Sequence, residues 1–162
     1  MAAEPTPAST QSDNRWRIAY TALAEDPISV ADLDAGDLLT YSFTADGFNH
    51  TVTQATVEDK RLTLKTDLSR PGRITETLEV TYVRSTTAGS AQTVLLEGTE
   101  GHLTVRRGID NDVAWTAAQK ADVLTFVAGV QRPNAPTENG VDTISQTLYI
   151  TAPTEYEQTL TA

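Results

Sequence analysis

Apolar and polar residues alternate along much of the chain. Trp16, Ile18 and Tyr20 fall on one side of a first strand, and Leu39, Tyr41 and Phe43 on one side of a second. Leu62 and Leu64 mark a short third. The clearest pattern is RITETLEVTYV (73–83), where Ile74, Leu78, Val80 and Tyr82 share one face. Thr75, Thr77, Glu79 and Thr81 share the other. Successive side chains of a strand point to opposite faces, so this period of two predicts a strand with one wet face. Glu76 interrupts the apolar face and is expected near a sheet edge.

The pattern then changes period. Ala91, Val94 and Leu95 stand at i, i+3 and i+4, one face of a short helix within 85–98. Thr86, Thr87 or Ser90 is placed to cap its start, and Gly98 its end. Alternation returns in HLTVRR (102–107), with Leu103 and Val105 on one face. DVLTFVAGVQ (122–131) is a more continuously apolar strand, and RPNAPTENG (132–140) is rich in turn residues. VDTISQTLYITA (141–152) alternates again, with Ile144, Leu148 and Ile150 opposite Thr143, Ser145, Thr147 and Tyr149. The expected fold is mainly β: a sandwich or barrel of about seven strands with one flanking α-helix.

Composition agrees with that class. Threonine accounts for 27 of 162 residues, and it favours half-buried pleated surfaces. The length suits one domain with a real core. The first stretch, 1–14, is Pro-, Ser-, Thr- and Ala-rich with few apolar residues and no signal-peptide pattern. It is expected to be a flexible arm that orders against a partner. Residues 15–152 form the β domain, and the polar 153–162 a second arm. No apolar run approaches the roughly 20 residues of a membrane helix, so no membrane binding by this chain is expected.

Charge narrows the function. The net charge is −10, which disfavours a surface that grips nucleic acid. From Ile18 to Asp59 there are eight acidic residues and no Lys or Arg. Such a run either keeps a solvated surface soluble or repels a polyanion.

Candidate chemistry is sparse. Without cysteine there is no disulfide, thiolate nucleophile or Cys-zinc site, and a reducing cytosol is the expected place of folding. The chain carries none of the common nucleotide, zinc-protease or serine-hydrolase motifs. His50, in DGFNHT, is expected solvated in a turn, and His102 exposed at the start of a strand. DLDAGD (32–37) spaces carboxylates like the start of a calcium loop, but the twelfth position is Phe43 instead of a bidentate Glu. Asn49-His50-Thr51 is a glycosylation sequon that matters only on secretion. No catalytic residue, metal or cofactor is expected. Arg106 and Arg107, neighbours on a strand, point to opposite faces and do not share one phosphate. Carboxylate partners, in the same or an adjacent subunit, are expected for both.

Three stretches carry a resemblance: YSFTADGFNHTVTQATVEDKRLTLKTDLSRPGR (41–73), TETLEVTYV (75–83) and LLEGTEGHLTVRRG (95–108). In this order they resemble the major tail tube proteins of long-tailed, non-contractile bacteriophages, especially those infecting actinobacteria, over roughly 15 to 152. The resemblance implies homohexameric rings that stack into a tube in the virion tail, assembled in the host cytoplasm. It also implies contacts with the tape-measure protein and other tail proteins, and passage of DNA through the lumen without specific binding. On this reading Thr75, Thr77, Glu79 and Thr81 face the lumen or an interface. The stretch Thr44 to Lys60, read as a loop, and the two arms are the candidates for stacking. A tail terminator or neck ring protein and an immunoglobulin-like decoration or binding module are the alternatives.

Overall fold

A computed structural model describes residues 8–162. Residues 1–7 of the expected N-terminal arm lie outside the described residues, and 8–14 carry no strand or helix. The elements run β1 (Trp16–Ala22), α1 (Val30–Ala35), β2 (Asp37–Leu38), a 3-10 turn (Thr40–Ser42), β3 (Phe43–Asp59) and β4 (Leu68–Val83). Then come α2 (Ala91–Val94), β5 (Glu100–Arg107), β6 (Lys120–Ala128), β7 (Arg132–Pro133), β8 (Thr143–Ile150) and β9 (Glu155–Thr159). Seven of these nine strands have five or more residues, and β2 and β7 are two-residue pieces.

All pairings among named strands are antiparallel, in the order β2-β1-β5-β6-β8-β4-β3, with β7 on β8 and β9 on β6. Four strands separate β1 from β3 in that order, yet Trp16 and Phe48 meet edge to face with centroids 6.0 Å apart. The sheet therefore rolls up until its two ends touch. The result is the mainly β, barrel-like sandwich expected from the pattern, with a seam between β1 and β3.

Alternation decides what fills the roll. Ile18, Leu103, Val105, Leu124, Phe126, Ile144, Leu148, Leu78, Val80 and Tyr82 are all buried in one inner cluster. Gln146 shares that interior. Its amide accepts from the Tyr82 hydroxyl at 2.9 Å and donates to the carbonyls of Leu95 and Gly129. A buried amide satisfied in this way costs little, whereas an unpaired one is expensive. α2 closes the roll with Ala91 and Leu95, the expected helical face. It ends at Val94 with Leu95 as its C-cap, and Gly98 (φ +81°), expected at that end, lies further on in the turn into β5.

Several elements depart from the sequence pattern. The second strand is not formed at Leu39–Phe43, where the 3-10 turn sends Tyr41 outward, 82% exposed, while Leu39 is fully buried. Leu62 and Leu64 lie in a turn and not in a strand. The expected loop 44–60 is nearly all β3. From Thr51 to Glu58 both its faces are exposed, so that part lacks the apolar half of the alternation, and its pairing with β4 supplies the order. A helix, α1, lies in the acidic stretch, where Leu33 packs with Ala19, Trp115, Ala121 and Leu160 on the outer side of the roll. Leu160 belongs to the expected C-terminal arm. That segment instead forms β9 along β6, and Leu160 is only 2% exposed. The buried leucine, the backbone pairing with β6 and the Glu157 N–H bond to the Asp122 carboxylate tie it to the fold.

Candidate assembly surfaces

Thr75, Thr77, Glu79 and Thr81 point away from the core, because Leu78, Val80 and Tyr82 point in. The first three are exposed; Thr81 is half-buried, its hydroxyl 3.1 Å from that of Ser145. Register extends this row sideways. Thr53 pairs with Thr75, Thr51 with Thr77, and Glu79 lies between Asn49 and Thr147. The outer face of β3, β4 and β8 is thus a patch of hydroxyls and amides with Glu79 as its central charge. Arg132 reaches its edge, 3.4 Å from the Thr147 hydroxyl.

The paired arginines have separate roles. Arg107 sits at the end of β5, its guanidinium 3.4 Å from the Asp122 carboxylate and over the Trp16 ring at 4.7 Å. Arg106 is fully buried and, among the described residues, has no carboxylate partner. The expected ion pair is replaced by carbonyls: Arg106 donates to Asp110, Val113 and Ala114, and to the Gln119 side-chain oxygen, at 2.8–3.0 Å. Trp115 stacks against it at 5.0 Å and against Arg17 at 5.4 Å. The 108–119 segment wraps around these two cations, and its backbone oxygens turn inward. Burial, reinforced by the neighbouring Arg17 charge, lowers the Arg106 pKa. Nothing in the local sequence foretells this cage, because three of its four acceptors are backbone carbonyls.

His50 is not solvated in a turn. It lies on the inner side of β3, its ring 3.3 Å from the Glu76 carboxylate and stacked on Tyr156. Thr154 also hydrogen-bonds Glu76. The interruption of the apolar face by Glu76 thus marks where the roll ends and the C-terminal segment crosses it. Burial, then the nearby Glu76 and Asp122 carboxylates, raise the Tyr156 pKa. His102 is half-buried on β5, 3.0 Å from the Thr125 hydroxyl. No group of three His, Asp or Glu side chains is placed to hold a metal ion among the described residues.

Beyond His50 and Glu76 the β3–β4 hairpin leaves the roll. No residue from Thr51 to Thr77 is buried, and Val52, Val57, Leu62, Leu64, Leu68 and Ile74 are exposed apolar side chains. β3 ends the sheet order, so its outer edge is unpaired among the described residues. Such an edge invites another chain. At the seam, between the start of β3 and β1, lies a groove of about 500 Å3. Trp16, Ile18, Phe43 and Phe48 form its apolar floor, and Asp13 and Tyr41 stand at its lining.

A bare strand edge, a bare hairpin and a hydroxyl face are surfaces suited to contacts with other chains. Among curated proteins, none matches the chain. The family model described as phage tail tube protein matches residues 1–162, and the chain belongs to that family.

Proposed function

We propose that this tail subunit forms hexameric rings that stack into the tail tube, through which phage DNA passes to the host cell. The observation that carries the reading is the unburied hairpin, Thr51 to Thr77, with a free β3 edge. From Thr51 to Arg73 this hairpin buries no side chain of its own among the described residues, and exposed apolar residues at this density mark an interaction surface. Pairing of the β3 edge with the next subunit joins sheets around a ring. A second, heterologous contact through the hairpin propagates along an axis.

The face of Thr75, Thr77, Glu79 and Thr81 suits the lumen. Hydroxyls present no fixed charge to hold a phosphate, and Glu79 repels one. Six copies each carry a net −10, so any inward share of that charge discourages DNA from sticking. At about 0.1 M salt the repulsion acts only within roughly 10 Å, which makes it a lubricant and not a motor. The tape-measure protein and other tail proteins are the further partners, and assembly takes place in the host cytoplasm. The chain acts by architecture, with no catalytic role.

Negative-stain electron microscopy of the purified full-length chain tests the reading. Tubes of stacked rings are expected. Isolated rings that never stack point instead to a terminator, and monomers at all concentrations to a binding module.

A further inference from the structure

We propose that the tip of the β3–β4 hairpin docks in the seam groove of a second copy, with Leu62 entering between Trp16, Phe43 and Phe48. This inference rests on the self-assembly reading above and names the receptor for its hairpin. Leu62 is 95% exposed, the most exposed large apolar side chain among the described residues. The turn that presents it holds Thr63 at φ +66°, a left-handed conformation that a β-branched residue rarely adopts. Strain of that kind persists where a surrounding contact rewards it.

The groove offers the complementary surface. Its floor is aromatic, and it is open where the rolled sheet meets itself. Charge matches as well. Among the described residues Asp13 lines the groove, and Asp46 and Asp112 adjoin its lining residues Ala45 and Asn111, while the neighbouring cations are already engaged: Arg15 pairs with Asp110, Arg107 with Asp122, and Arg17 donates to the Val113 carbonyl. The hairpin from Glu58 to Arg73 carries five cations against three carboxylates in a chain that is otherwise acidic. Lys65 and Arg73 make no ion pair among the described residues.

A chain is unable to fill its own groove. The strands stay paired from Phe48↔Val80 to Asp59↔Leu68. Eleven residue steps from Phe48 to Asp59, at roughly 3.3 Å each and interrupted by one irregularity between Gln54 and Thr56, carry the tip up to about 36 Å along the hairpin from the seam. The occupant is therefore another copy. The contact is heterologous, so each added copy leaves one tip and one groove free, and it repeats along an axis where the rotation does not close a ring.

The chain has no cysteine, so Tyr41→Cys and Leu62→Cys together place one thiol at the groove rim and one at the tip. Oxidation of the double variant is expected to give a reducible ladder of dimers, trimers and longer chains, and each single variant a dimer at most. Leu62→Asp, at a side chain its own chain does not cover, is expected to melt like wild type and to raise the concentration needed for assembly at least tenfold. If wild type assembles, the double variant gives no band beyond a dimer and Leu62→Asp assembles normally, the docking is overturned and self-assembly stands. Wild-type protein that stays monomeric at every concentration overturns both.

Discussion

Single residues in this protein matter chiefly through what they leave satisfied. Arg106 feeds hydrogen bonds to three carbonyls and one amide oxygen, so Arg106→Ala strands several buried acceptors and uncovers Trp115. A loss of about 3 kcal/mol or more is expected in urea unfolding. Lysine recovers little, because a point ammonium does not reproduce the planar fork. Tyr82 sets an alkaline limit. Burial pushes its pKa up to about 12 from 10.0, so the folded chain holds a proton that the unfolded chain releases. Stability is unaffected below about pH 10 and falls as pH rises toward 12, by up to about 3 kcal/mol. Thermal melts across this range check it, and Tyr82→Phe is expected to flatten the slope while lowering stability at neutral pH by about 1 kcal/mol, since Gln146 loses its donor.

Two elements have roles that their sequences do not announce. The C-terminal segment, polar and short of apolar residues, is part of the fold: β9 pairs with β6 and Leu160 seals the outer cluster around Trp115 and Leu33. Leu160→Ala is expected to cost about 2–4 kcal/mol in denaturant unfolding. A chain ending at Ala152 also loses the Thr154 and Tyr156 contacts with Glu76 and His50 and is expected to be less stable still. The hairpin behaves in the opposite way. Replacing 56–71 by a tight turn removes no buried side chain. The shortened chain is therefore expected to melt within a few degrees of wild type while forming no tubes by electron microscopy.

At the scale of the whole molecule, the roll separates two jobs. Its inside is an apolar core with one satisfied amide, and its outside distributes surfaces for neighbours. If the hydroxyl face lines the lumen, Thr77→Lys with Glu79→Lys is expected to leave the monomer's stability nearly unchanged. Tubes of that variant then retain double-stranded DNA at low salt and release it as salt rises, whereas wild-type tubes retain none. Equal DNA retention by both would place this face elsewhere. Residues 1–14 bear on the same scale. Ser12 to Asn14 line the seam groove, so removing 1–14 is expected to impair tube formation more than monomer folding, read by microscopy and by melting.

What the sequence alone determined is whatever alternation and local chemistry encode. Residues 73–83 show their strand and both its faces, because one face is apolar and the other hydroxylated. The helical face of Ala91, Val94 and Leu95 shows in the same way, and so does the acidic, cysteine-free character that disfavours a nucleic-acid grip and rules out thiol chemistry. Three quoted stretches also carried the family. Tertiary structure decided the rest. From Thr51 to Glu58 β3 is exposed on both faces, so no apolar period marks it there, and only pairing with β4 makes that part a strand. Three of the four acceptors around Arg106 are backbone oxygens that any sequence would carry, and the fourth, Gln119, lies 13 residues away. The His50–Glu76 contact joins residues 26 apart through a register that no local pattern specifies. The seam exists only because the sheet curls until Trp16 reaches Phe48, a closure set by packing between strands far apart in the chain.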